Sequence, residues 1–132
     1  MILPATKPIH LDTSFLIRAL APDSPEAVKL RGWLQERRTI AMSALAWGEF
    51  LCGPLDDVAQ ALARRLVPRH VPIGTEEATQ AARLFNLGGR KRRSFPDCII
   101  AAMALERAVP LYVFNVKHYH VFTGLEVQEP YV

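Results

Sequence analysis

The chain has 132 residues, half of them hydrophobic and 22% charged, which suits one compact domain and excludes a disordered or fibrous chain. The formal charge of +3 is small, but Arg90, Lys91, Arg92 and Arg93 concentrate four positive charges in one run. Such a patch attracts polyanions over roughly a Debye length, about 8–10 Å in physiological salt.

Short apolar strands alternate with helices along the sequence. The first strand is Ile9 to Asp12, after which Thr13 to Leu20 turns into a helix. A second helix follows Asp23: Ser24 is its N-cap, Pro25 suits the first helical position and Glu26 complements the dipole. Ala27, Leu30 and Leu34 give it an apolar face. Thr39 to Met42 reads as a strand, and Ser43 caps an almost wholly apolar helix that ends near Cys52, before Gly53-Pro54. The next helix, Asp56 to Leu66, places Val58, Leu62 and Leu66 on one side.

A strand at His70 to Ile73 leads to a helix with Thr75 as its N-cap, carrying Ala78, Ala81, Ala82 and Phe85 inward. After the basic run, Ser94-Phe95-Pro96-Asp97 opens a helix through Ala108. Leu111 to Phe114 and Leu125 to Gln128 complete about five strands. The expected fold is a single α/β domain over residues 1–132, with a mostly parallel sheet flanked by helices. Cys52 and Cys98 sit in apolar helical stretches without metal-like spacing and read as small buried thiols. The longest apolar run, Cys98 to Leu105, is far too short to cross a bilayer, so no membrane is implied. The first eight residues lack a secretory pattern, and a cytoplasmic setting is the expectation.

Three acids stand out by position. Asp12 closes an apolar strand, Glu49 is the sole charge on its helix, and Asp97 lies in the first turn of a very apolar helix. In parallel sheets the functional crevice lies beyond the carboxyl ends of the strands. Carboxylates that converge there repel one another, and a divalent cation relieves the repulsion; carboxylates and water are what Mg²⁺ and Mn²⁺ prefer. Each acid also has a plain structural role open to it: Asp12 as an Asx-type turn, Asp97 as part of a helix cap, Glu49 as a partly exposed side chain. Asn115-Val116-Lys117-His118 follows the fourth strand and opens at the same edge, where Asn115 and His118 could orient water or phosphate.

Four stretches together resemble the PIN domain, and in particular VapC-type toxins of toxin–antitoxin modules. They are Leu11 to Leu16, Ser43 to Phe50, Ser94 to Ala102 and Asn115 to Tyr119. The resemblance implies an Mg²⁺- or Mn²⁺-dependent endoribonuclease in which Asp12, Glu49 and Asp97 hold the metal and Asn115 completes the catalytic set. Ser14 and His118 would support these groups from behind, and Arg90 to Arg93 would contact RNA. It further implies a homodimer and a small antitoxin partner; Trp33, Trp47 and Leu51 could supply such contacts or could be core. Val113 departs from the threonine common in the family, and a neutral Asn115 leaves three formal charges rather than four, which favours one tightly held metal over two. Two alternatives remain at this point. One is a PIN-like domain that binds RNA or a partner without cutting. The other is an aspartyl-phosphate phosphotransfer domain built on Asp12 and Lys117, although Asp12-Thr13-Ser14 lacks the paired acids that such domains use.

Overall fold

The computed structural model describes residues 7–87, 94–114, 119 and 127–128. Its elements run β1 (Ile9–Leu11), α1 (Thr13–Ala19), α2 (Pro25–Gln35), β2 (Ile40–Ser43), α3 (Ala44–Leu51), α4 (Asp57–Leu66), β3 (Arg69–Val71), α5 (Thr75–Leu87), α6 (Phe95–Arg107), β4 (Leu111–Tyr112) and β5 (Val127–Gln128). The five strands form one sheet in the order β3-β2-β1-β4-β5, and every neighbouring pair is parallel. All residues of β1 and β2 are buried, although successive side chains in a strand point to opposite faces. Both faces of the sheet centre are therefore covered by helices, as the run of apolar strands implies.

Helix starts are set by local chemistry. Asp12, Ser24, Ser43, Asp56 and Ser94 each accept a hydrogen bond from the backbone N–H three residues on. Thr75 is instead the first residue of α5: Gly74 precedes it, and the Glu77 carboxylate turns back to accept from the Gly74 N–H at 3.2 Å. The strands are shorter than the sequence suggests, and the assignment of residues 72–73 to β3 is not met.

The core gathers Ile9, Leu11, Phe15, Leu16, Ile40, Met42, Phe50 and Leu111 around the apolar α6. Phe15 stacks on Trp33 with ring centroids 5.7 Å apart, and Tyr112 meets both rings edge-on. Trp33 and Trp47 are thus core, not surface contacts, and Trp47 also stacks on His70 at 4.1 Å. Two apolar faces differ from their periodicity. Leu34 on α2 is exposed while Trp33 is buried, and on α4 Ala63 is buried while Val58 and Leu62 face outward. The larger Trp33 ring fills the space beside Phe15, and α4 meets the core through Ala63, with Leu66 packed beside it. Cys98 is buried as expected; Cys52 ends α3 and is exposed, because the turn into Gly53 lifts it off the core.

Candidate active site

β1 lies between β2 and β4, so the connections leaving β1 and β4 diverge to opposite sides of the sheet. The carboxyl edge at that point is the natural crevice of a parallel sheet. The residue after β1 is Asp12. Its N–H extends the ladder to the Tyr112 carbonyl at 3.1 Å, so its carboxylate is delivered to the edge. As N-cap of α1 it accepts from the Phe15 N–H at 2.8 Å, and Ser14 Oγ donates to Oδ1 and Oδ2 at 2.9 and 3.0 Å. The capping role of Asp12 is therefore met, and the same geometry leaves its carboxylate at the sheet edge.

α3 and α6 bring the other two acids to the same place. A cleft of about 300 Å³ is lined by Asp12, Thr13, Ser14, Glu49, Asp97, Ile100, Phe114 and Tyr119. Asp97 stands in the first turn of α6, whose cap is the Ser94 hydroxyl, accepting from the Asp97 N–H at 3.2 Å. Glu49 is solvent-exposed, so burial of an unpaired charge is not what marks it out. It is positioned instead by Thr13 Oγ1, which donates to Glu49 Oε1 at 3.0 Å and also lies 3.2 Å from the Ala46 carbonyl.

Two groups that the sequence motifs do not assign complete the cleft. Thr13 ties α1 to α3 through Glu49. Tyr119 is almost fully buried, and its hydroxyl donates to Asp97 Oδ1 at 3.5 Å and also bonds to the Asp12 carboxyl. A hydroxyl donor thus reaches the acid pair even though the buried Val113 carries none. Thr13 is legible in principle as the hydroxyl next to Asp12; Tyr119 lies more than a hundred residues from it, and no local pattern marks it.

Electrostatics follow from burial. Desolvation pushes the Asp12 carboxyl up to about 7, partly opposed by the hydrogen bonds from Phe15 and Ser14 and reinforced by the Asp97 charge. Burial, and then the charges of Asp12, Asp97 and Glu49, push the Tyr119 phenol above its ordinary range, so it remains a proton donor. The donor set is oxygen alone, carboxylates with hydroxyls, which suits a hard divalent cation. Among the described residues no three acidic, histidine or cysteine side chains stand close enough to share one ion directly. The oxygen groups of Asp12, Asp97 and Glu49 that line the cleft thus fit the chemistry of such a cation.

Asn115 and His118, and the basic run Arg90, Lys91, Arg92 and Arg93, lie outside the described residues.

Among curated protein sequences none matches the chain significantly. Solved structures do match. VapBC2 from Rickettsia felis, bound to a promoter DNA fragment, shares 15% identity at a TM-score of 0.76, over 93% of this chain and 98% of that one. A toxin–antitoxin complex from Klebsiella pneumoniae shares 22% identity at a TM-score of 0.73, over 93% and 98%. VapC20 of Mycobacterium tuberculosis, a toxin that cleaves the sarcin–ricin loop, shares 16% identity at a TM-score of 0.65, over 86% and 94%. At these identities the likeness establishes the fold. The sequence profile of the PIN domain matches residues 9–121, and with an acidic cleft at the switch point of a parallel sheet, the chain belongs to the PIN domain family.

Proposed function

We propose that this protein is an Mg²⁺- or Mn²⁺-dependent endoribonuclease and the toxin of a VapBC-like toxin–antitoxin pair. The observation that carries the reading is the meeting of the Asp12 and Asp97 carboxylates at the Tyr119 hydroxyl, with Glu49 lining the same cleft. Two carboxylates crowded in a desolvated place favour a cation beside them. The solved neighbours add weight, since several are toxin–antitoxin complexes and one is an RNA-cleaving toxin.

Asp12 and Asp97 would hold the metal directly and Glu49 through water. When bound, the ion would neutralise charge on the scissile phosphate and make an attacking water more acidic. The chain's own residues do the rest. Ser14 Oγ and the Phe15 N–H fix both oxygens of Asp12, so the carboxylate presents one orientation. Tyr119, kept protonated, donates to the acid pair and holds it together. Thr13 keeps Glu49 at the cleft mouth. Asn115 and His118 are assigned to orienting water and phosphate, and Arg90 to Arg93 to the RNA backbone, a contact that weakens with added salt. Leu34 and Leu62, exposed on α2 and α4, line an apolar groove of about 240 Å³, and there we place the antitoxin. A homodimer and a cytoplasmic setting complete the proposal.

Asp12→Asn and Asp97→Asn should each lower Mg²⁺-dependent RNA cleavage by at least roughly a hundredfold while the circular dichroism spectrum is kept. Undiminished cleavage in both would remove the mechanism. One observation favours a second reading, a PIN domain that binds RNA without cutting: no three candidate ligands among the described residues converge directly on one point. Wild-type protein that binds RNA but leaves it intact in Mg²⁺ and in Mn²⁺ would establish that reading.

A further inference from the structure

A second polar cavity lies at the opposite, amino-terminal edge of the sheet. It encloses about 220 Å³ where β1 and β3 begin and α6 ends, and Lys7, His10, Arg69 and Arg107 line it without any acid. We infer that this cavity is a binding site for a phosphate group, separate from the acidic cleft.

Three observations support the assignment. First, the cations have spare donors. The Arg69 side chain lines the cavity and makes no hydrogen bond or ion pair among the described residues. Lys7 Nζ donates to the Ala108 carbonyl at 2.8 Å and keeps further N–H groups. Arg107 lies 3.6 Å from Glu77 and also donates to the Met103 carbonyl at 3.4 Å. With Glu77 offsetting one guanidinium, two positive charges remain beside the several N–H donors that a phosphate group's oxygens can accept from.

Second, His10 is 3% exposed and lines the cavity, and its side chain makes no hydrogen bond among the described residues. Its ring shares the cavity with the Arg69 and Arg107 guanidiniums, so both charges reach it. Third, the volume is below the roughly 300 Å³ at which pockets for drug-sized ligands begin. It admits a phosphate group but not a whole nucleotide.

Because His10 senses both arginines, it reports occupancy. Full-length protein in metal-free buffer is titrated with inorganic phosphate while the His10 ring signal is followed by NMR, with acetate at matched ionic strength as control. The expected result is a saturable shift of the His10 ring signal with phosphate, absent with acetate, as the bound anion offsets the arginines. Arg69→Gln and Lys7→Gln, both surface changes, should each weaken binding roughly tenfold. Asp12→Asn should leave it unchanged. A short RNA in the same metal-free buffer separates the sources. A matching shift with RNA identifies a nucleic-acid phosphate, and a shift with inorganic phosphate alone identifies the free ion. No saturable shift with either, an equal shift with acetate, or full affinity in Arg69→Gln would overturn the inference.

Discussion

Replacing Asp12 with asparagine should make the metal-free protein more stable at the same time as it abolishes cleavage. The wild-type carboxyl stands at about 7 in the fold against an ordinary 3.8, a rise of about 3 units. A raised carboxyl favours folding fully below about pH 4, and that advantage is lost as pH climbs through about 7. At about 1.4 kcal/mol per unit, ionising Asp12 costs the fold about 4 kcal/mol by pH 8. Asparagine cannot ionise and remains a good N-cap for α1, so it keeps the bond from the Phe15 N–H. It gives up one of the acceptor positions now facing Ser14, worth about 1 kcal/mol. The net gain at pH 8 is about 3 kcal/mol, shrinking toward zero or below at pH 4. Urea unfolding in EDTA at a series of pH values would measure it, with the midpoint converted through an unchanged slope. Adding Mg²⁺ should then stabilise wild type at pH 8, less so at pH 5 where the proton competes, and leave Asp12→Asn unmoved. An asparagine variant no more stable than wild type at pH 8 in EDTA would refute the premise that a strained carboxylate sits at this edge.

Three further outcomes are expected. Thr13→Val removes the hydroxyl that tethers Glu49, and should reduce Mg²⁺-dependent cleavage about tenfold with little change in melting temperature, as read by initial rates and thermal melts. Glu26 is fully buried, and among the described residues its one ion pair is with the half-exposed Arg18 at 3.6 Å and neither oxygen accepts a hydrogen bond. Glu26→Leu should therefore be neutral or stabilising, whereas Arg18→Ala, which strands the acid, should lower the urea midpoint. Ala108 ends α6 in the left-handed region at φ 50, ψ 49, and Ala108→Gly should raise stability by about 0.5–1 kcal/mol, checked by the same unfolding curves.

Helix caps and strand–helix alternation are legible in the sequence because they are local. A serine or aspartate that bonds an N–H three residues on needs only its neighbours, and Ser24, Ser43 and Ser94 stand where their sequence signals put them. The parallel sheet follows from apolar strands separated by helices; Asp12 stands out at the end of such a strand, Glu49 as the sole charge on its helix and Asp97 in the first turn of an apolar one, and all three line one cleft. Tertiary packing decided what no window of sequence contains. It chose Trp33 over Leu34 for the core, left Val58 and Leu62 facing outward, and left Glu49 exposed on Thr13. It also brought the Tyr119 hydroxyl onto two carboxylates from opposite ends of the chain, and set His10 among the cations of the far edge. The difference is physical: a hydrogen bond between near neighbours is written in their spacing, whereas burial and the electric field at a side chain are sums over atoms that meet only when the whole chain has folded.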